Sequence, residues 1–408
     1  MKILFVNFVG RSGSTGKLVG SIANYLEKKH HDSLTLYGRN PYVNEKGCLK
    51  FCTEFEAKIQ SFFLRYGITL EYGGNYFATY NLLRKISKYA PDVVHIHCLN
   101  GSCVNIFLLL SFLGRHNIKT IVTNHAEFYY TGVCPHAYEC LEFTKIPGCV
   151  NCPRPQKATR ARYFPRPSCS WDKMYKAFNS FNYDNLVVTC VSPWVLSRAK
   201  LSPIVNKYRL VLVENGINCN VFHYRPDSRV FKKLNFSHKK MILHVSAGFY
   251  PNDESNNKGG YYVCKLAQKM PDIQFVVVAS NMGYNSLPEN VYVWGTTKSQ
   301  EELAELYSIA DLTIVTSRRE TFSMVCAESL CCGTPVVGFK AGGPESIGLP
   351  KYTEFVEFGN VEGLMESSVN MLSQFVDKVS LSLLATKHYS DEVMCSKFYH
   401  LYEELLLS

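Results

Sequence analysis

Several features are missing from this chain of 408 residues, and each absence removes a class of protein. No apolar run approaches the roughly twenty residues of a membrane-spanning helix, because the run from Val104 to Leu113 is only about ten residues long. No tract rich in Pro, Ser or Gln is present. Hydrophobic residues make up 46% and charged residues 19%, so the whole chain is expected to fold. No segment of roughly twenty to fifty residues recurs, which argues against solenoid and propeller arrays. The opening MKILFVNFVG is too short for a signal-peptide core plus cleavage site and reads as a buried first strand. The expectation is an unexported, cytoplasmic protein.

What is present is size, cysteine and positive charge. A chain of this length exceeds what one hydrophobic core usually organises, so two domains are expected. Most of the sixteen cysteines lie within apolar strand or helix patterns, as at Cys98, Cys190, Cys264 and Cys326. That placement suits a reduced compartment better than a disulfide framework. The formal charge of +10 favours anionic partners such as phosphates, nucleic acid or acidic lipid without choosing among them.

Short apolar strands alternate with amphipathic helical stretches from end to end, the pattern of an α/β fold with parallel sheets covered on both faces. The first run of strands, from KILFVNF to RLVLVENG, fills residues 1–222, with helical stretches over Lys17 to Lys29 and Gly74 to Tyr89. Residues 223–238 are polar, basic and aperiodic and read as a linker. A second run occupies 239–389, with helices near 258–270, 300–310 and 322–332, and with Ser299 and Glu302 as a capping box. Residues 390–408 read as a helix capped by Ser390, with Val393, Phe398, Leu401 and Leu405 on the face expected to pack back on the first domain.

Two stretches bear on chemistry. The first turn, GRSGSTGK, resembles a phosphate-binding P-loop, but Arg11 stands where that loop needs glycine and Leu18 where it needs a hydroxyl. Metal-dependent nucleotide hydrolysis is therefore not expected. Gly13, Ser14 and Gly16 could still let backbone N–H groups at a helix N-terminus approach a phosphate, and a plain strand-to-helix turn is the alternative. In SRRETFSMVCAESLCCGTPVVGFKAGGPES, Glu320 and Glu328 stand seven residues apart around a strand-to-helix turn. Eight helical steps of about 1.5 Å would separate them by about 12 Å, well beyond the roughly 5 Å of a retaining hydrolase pair. Two separate ligand contacts fit better. Glu320 follows the strand DLTIVTS, where open parallel sheets bind ligands, and Thr321, Phe322 and Ser323 would offer helix N–H groups to an anion.

With CGTPVVGF and AGGPES following, this stretch resembles the E-x7-E signature of family 4 retaining glycosyltransferases, which have the GT-B architecture of two Rossmann-like domains facing a central cleft. The likeness extends to Lys258–Gly259, to ENGIN at 214–218, and to PDVVHIHCLNG and TNHA in the first half. NFVGRSGSTGK and the cysteine-bearing TGVC…GCVNCP resemble the colanic-acid-type exopolysaccharide subgroup. The resemblance implies that Glu320 contacts donor-sugar hydroxyls, Glu328 holds the nucleotide ribose, Lys258 binds the donor diphosphate and His125 faces the sugar. It further implies metal-independent, retaining transfer of a hexose from a UDP- or GDP-sugar to a saccharide or polyprenol-linked saccharide acceptor in exopolysaccharide or capsule synthesis. The lack of a D-x-D pair agrees with metal independence. No Arg stands within the few residues before Lys258, where the family often has one, which leaves Arg318 or Arg319 as substitutes, and Ser323 replaces a common glycine. An epimerase or phosphorylase of the same architecture is the enzymatic alternative.

Three further clusters stand out. Cys134, Cys140, Cys149 and Cys152 form C-x5-C-x8-C-x2-C, which could close a structural zinc site with bonds of about 2.3 Å or remain a loop of reduced or bridged thiols. His95 and His97 share one strand face and could be metal ligands, cleft residues or packed core histidines, with His97 favoured on the acceptor side. Between Phe51 and Tyr89, aromatics are interleaved with Lys58, Arg65, Arg84, Lys85 and Lys88. Such a stripe either packs a helix on the sheet or faces an anionic membrane surface. A basic, zinc-bearing nucleic-acid binder is the rival from another class. The spread of cations over both halves, with no recognition module, makes nucleic acid the weaker partner.

Overall fold

The computed structural model describes residues 1–40, 46–226, 240–283 and 286–407. Most of the expected linker at 223–238 lies outside the described residues. The chain forms two compact units, one of Met1–Glu214 together with the chain from Cys395, the other of Asn215–Met394.

The first unit is built on a seven-stranded sheet of β1 (Lys2–Asn7), β2 (Asp32–Tyr37), β3 (Cys48–Lys50), β4 (Val93–Ile96), β5 (Thr120–Asn124), β6 (Leu186–Cys190) and β7 (Arg209–Leu212), in the order β3-β2-β1-β4-β5-β6-β7. All neighbours are parallel, with Ile3 opposite both Ser33 and Val93. Every residue of β4, β5 and β6 is buried, as expected of strands with helices on both faces. The second unit repeats the plan with β8 (Met241–Phe249), β9 (Gln274–Met282), β10 (Val291–Gly295), β11 (Leu312–Val315), β12 (Val336–Phe339) and β13 (Thr353–Val356), ordered β10-β9-β8-β11-β12-β13. Its core sets Phe249, Phe275, Ile314 and Phe339 against Val263 and Leu266 of helix Gly260–Lys269, each such side chain contributing about 1.5–3 kcal/mol by leaving water.

In both sheets the strand order reverses once, between β1 and β4 and between β8 and β11. Such reversals splay the following loops apart and open a crevice at the carboxyl ends of the strands. The glycine-rich turn follows β1 and His97 follows β4, while Lys258 follows β8 and Glu320 follows β11. The fold therefore places the candidate residues of each unit at that unit's own switch point.

The short edge strands β3 and β13 were not anticipated from the sequence, because CLK and TEFV carry charged residues and are mostly unburied, unlike the apolar runs by which the other strands were read. Ser299 caps its helix through the Glu302 N–H at 3.2 Å, but Glu302 turns its carboxylate to the Lys298 N–H, so the reciprocal half of the expected box is displaced by one residue. Helix Asp391–Leu407 begins as read, with the Ser390 hydroxyl 3.4 Å from the Val393 N–H. Within the first unit its Tyr402 hydroxyl lies 2.7 Å from His95 Nδ1. Among the described residues no helix is long and apolar enough to cross a membrane.

Candidate functional site

The densest constellation lies at the switch point of the second unit. Lys258 Nζ is 2.6 Å from Glu320 Oε1, with both side chains partly open to solvent. Backbone holds the pair in place. The loop before helix Gly260–Lys269 is tied to the chain after β11 by Thr316 Oγ1 to the Lys258 carbonyl (3.2 Å), the Arg318 N–H to the Asn257 carbonyl (2.9 Å) and Asn257 Nδ2 to the Arg319 carbonyl (3.1 Å). Gly259 makes the approach possible. Its φ is +71°, and a Cβ there would stand 2.0 Å from the Thr316 carbonyl oxygen, so both the backbone conformation and the space require glycine. Glu320 is fixed in turn by an isolated bridge to Gly342, its N–H donating to Ala341 at 3.0 Å and its carbonyl accepting from Gly343 at 2.8 Å.

The turn after Glu320 departs from its expected form. Helix Met324–Cys331 starts two residues later than the sequence suggested, so Thr321 and Phe322 precede it and Ser323 is its cap. The Phe322 ring is buried, which confines any contribution from that residue to its backbone. Ser323 holds φ at +78° and accepts from the Cys326 N–H at 3.3 Å. A glycine suits that left-handed position, and the serine compensates for the strain by satisfying one helix-terminal donor. Glu328, one turn into the helix, accepts from the buried Tyr307 hydroxyl at 3.2 Å. Of the two arginines weighed as substitutes, Arg318 lies over the Phe358 ring at 5.6 Å, and Arg319 is buried and donates to the Ala341 carbonyl at 3.4 Å.

The candidates in the first unit are of different character. Helix Gly13–Lys28 starts within the glycine-rich turn, with no side-chain hydrogen bond from Ser12 at its cap. Gly13 has φ +69° and open space around it, and Ser14 is exposed. Gly16 serves packing, since a Cβ there would lie 2.2 Å from the Gly10 carbonyl oxygen. Beyond β4, His97 Nδ1 and His125 Nε2 are 2.9 Å apart, and the Tyr129 hydroxyl donates to the His97 carbonyl at 2.7 Å. Burial pushes His95 and His97 well below the usual histidine range and brings His125 to about 4. All three rings are neutral at pH 7. His95 is a core residue and not a free ligand, because Tyr402 and Thr123 occupy its two nitrogens at 2.7 Å each. That corrects its candidacy for metal.

Sequence reading missed what anchors the cysteine loop. Glu127, fully buried, accepts from Arg198 Nε (2.8 Å), the Tyr130 hydroxyl (2.9 Å) and the Ala137 N–H (2.8 Å). Around it, Cys134 and Cys149 are buried, while Cys140 and Cys152 are partly exposed, and all four are free thiols. Desolvation raises Cys134 to about 12, and each of Cys134, Cys149 and Cys152 senses charge on others of the four. Among the described residues, however, no group of three or more His, Cys, Asp or Glu side chains is placed to hold a metal ion.

Residues 269–374 match the family described as glycosyl transferases group 1. The matched segment contains Glu320 and Glu328 and begins just after Lys258. Among curated relatives, the N-acetyl-alpha-D-glucosaminyl L-malate synthase of Bacillus anthracis is 32% identical over 74 residues, covering 18% of this chain and 19% of its own. The D-inositol 3-phosphate glycosyltransferase of Thermobispora bispora is 52% identical over 152 residues, covering 33% of this chain and 35% of its own. The chain thus matches only about a fifth to a third of these relatives' length. Solved structures align end to end. Sucrose-phosphate synthase from Thermosynechococcus elongatus gives a TM-score of 0.68 at 16% identity, covering 100% of this chain and 99% of that one. Anabaena HepE in complex with UDP and glucose gives 0.65 at 13%, covering 99% of each chain. A glycosyltransferase from Rickettsia africae gives 0.63 at 17%, covering 99% and 98%. Likenesses at such identity fix the fold: two parallel-sheet α/β units of GT-B type, the second of which contains the segment that matches the group 1 glycosyltransferase family.

Proposed function

We propose that this protein transfers a hexose from a UDP- or GDP-sugar to a saccharide acceptor, with retention at the anomeric carbon and without a divalent metal. The observation that carries the reading is the Lys258–Glu320 pair at the switch point of the second unit, held by Gly259. A partly exposed ion pair is worth only about 0–1 kcal/mol. The ammonium can therefore turn to an entering diphosphate at little cost, which frees the Glu320 carboxylate to accept from sugar hydroxyls.

Breaking the sugar–phosphate bond develops charge on the leaving diphosphate, which fixed cations and helix N–H groups stabilise. Lys258 supplies the charge, and the turn through Thr321, Phe322 and Ser323 supplies backbone. Glu328 holds the nucleotide ribose. In the first unit, the N–H groups at Gly13, Ser14 and Gly16 are suited to a phosphate, and His125, kept neutral by burial, is suited to donate to or accept from a sugar hydroxyl. His97 orients His125 through their 2.9 Å contact. The acceptor is lipid-linked in this reading, the setting is exopolysaccharide or capsule synthesis of the colanic-acid type, and the protein works at the inner face of a membrane.

A thermal-shift screen against a panel of sugar nucleotides tests the proposal, since a ligand at a hundred times its Kd stabilises the native state by about 2.7 kcal/mol. Stabilisation by a UDP- or GDP-sugar that is lost in Lys258→Ala supports it. No response to any sugar nucleotide, or an equal response in the variant, overturns it. Structural zinc on Cys134, Cys140, Cys149 and Cys152 is a separate part of the proposal, which rests on their C-x5-C-x8-C-x2-C spacing and requires the thiols to draw together from where they stand. Metal analysis of protein purified without added zinc that finds clearly substoichiometric content rules it out.

A further inference from the structure

Away from the switch points, the first unit exposes an unusual amount of aromatic surface. On helix Glu54–Arg65, Phe55 is 72% and Phe62 55% exposed, and on the segment that follows helix Pro155–Thr159, Tyr163 is 54% and Phe164 69% exposed. These are not scattered. The Phe62 and Tyr66 rings are 4.6 Å apart, and Tyr66 stacks on Tyr163 at 5.6 Å. Hydrogen bonds hold the two segments together, with the Arg162 backbone N–H donating to the Arg65 carbonyl at 2.8 Å and the Arg166 guanidinium donating to the Gly67 carbonyl at 2.8 Å. Gly67, at φ +72°, lets Phe164 lie against the turn, because a Cβ there would be 2.8 Å from the Phe164 carbonyl oxygen. A contiguous exposed aromatic patch of this kind marks an interaction surface.

Beside this row is a pocket of about 470 Å³ whose lining includes Leu64, Arg65, Lys157, Arg160 and Arg162. Of its four cations, Arg160 is neutralised by the buried Glu71. Arg65 and Lys157 have no carboxylate partner among the described residues, and Arg162 lies over the Tyr163 ring at 5.5 Å. No acid occurs between Pro153 and Trp171, where Arg154, Lys157, Arg160, Arg162 and Arg166 fall, so apart from Glu71 on Arg160 the segment supplies no acid to offset its charge.

We propose that this face docks on an anionic lipid bilayer, the aromatic row entering the interface and the pocket at Arg65, Lys157 and Arg162 seating a phosphate headgroup. Aromatic rings with one polar end favour the headgroup layer, and nearby lysines and arginines add attraction to anionic lipid. A surplus of positive charge next to exposed rings fits that layer at both of its levels. The inference deepens the membrane part of the reading above and is independent of the donor chemistry.

The test is flotation of the full chain with vesicles of phosphatidylcholine containing phosphatidylglycerol, and with phosphatidylcholine alone. Binding is expected only to the anionic vesicles. It should weaken at least tenfold in a double variant Arg65→Glu with Lys157→Glu, and similarly in Phe62→Ser with Phe164→Ser. Arg65→Gln with Lys157→Gln serves if charge reversal disturbs folding. Sugar-nucleotide stabilisation that persists in these variants separates this surface from the donor site. Failure to float with either vesicle overturns the proposal, as does equal binding to both or wild-type binding by every variant. Capture of inorganic phosphate or a single-stranded oligonucleotide without vesicle binding also overturns it, in favour of a free-anion or nucleic-acid surface.

Discussion

The two units follow one plan and finish it in opposite chemistry. Each has a parallel sheet with a single reversal of strand order, and each follows its first central strand with a left-handed glycine, Gly13 in one and Gly259 in the other. Around Gly259 the second unit assembles a partly exposed ion pair of Lys258 and Glu320. At the corresponding corner the first unit assembles His97 and His125, kept neutral by burial. The same backbone solution thus supports a partly exposed ion pair in one unit and a buried, neutral pair of rings in the other. The difference lies in which side chains were given solvent.

Acid should expose that difference most strongly. His95 and His97 are held well below the usual value and His125 at about 4. Their neutral forms stabilise the fold above the unfolded pKa of about 6.5, and that stability is lost as pH falls toward about 4, at about 1.4 kcal/mol per pH unit and group. Urea unfolding at pH 7.5 and pH 5 should differ by several kcal/mol, and the first unit should yield first. Among its described residues the second unit has one comparable ring, His244, also at about 4. Equal acid sensitivity of the two units would break the comparison.

Removing Arg198 tests the support beneath the histidine corner. Arg198→Ala leaves the fully buried Glu127 charge without its partner, and such a change costs about 3–5 kcal/mol. The loss should appear in denaturant melts together with easier proteolysis of the cysteine loop. The glycines give a more direct contrast. Gly259→Ala meets both the +71° backbone and a 2.0 Å approach to Thr316, for about 2–4 kcal/mol together. Gly13→Ala has φ +69° with nothing within 4 Å and should cost about 1 kcal/mol. Equal losses would mean that the close approach at Gly259 is not what sets the second corner. The smallest change in free energy, though the largest in function, is expected for Lys258→Ala and Glu320→Gln. Turnover with the sugar nucleotide found by the screen should fall at least tenfold, about 1.4 kcal/mol or more, with the melting temperature nearly unchanged.

Much of the fold was legible because its signals are local. Buried parallel strands are short apolar runs, and eleven of those runs read from the sequence correspond to β1, β2, β4 to β7 and β8 to β12. The E-x7-E stretch was legible for the same reason, being continuous in the chain. Illegible were contacts between distant residues: Asn257 on the Arg319 carbonyl, Tyr307 on Glu328, Arg198 on Glu127. Arg198 carries no mark in the sequence that distinguishes it from a surface cation. The start of helix Met324–Cys331 was misplaced because Phe322, apolar and near the expected first turn, is a core residue of the preceding loop.

The amino-acid sequence by itself determined the alternation of strand and helix, and with it two parallel sheets, since apolar period and turn chemistry act over a few residues. It also determined that Lys258 and Glu320 each follow a strand. Only the tertiary structure decided that they meet, because strand order is a property of the sheet. Burial likewise divided the histidines, leaving His95 to the core and joining His97 to His125, since solvent exposure depends on everything packed around a side chain and not on its neighbours in the chain.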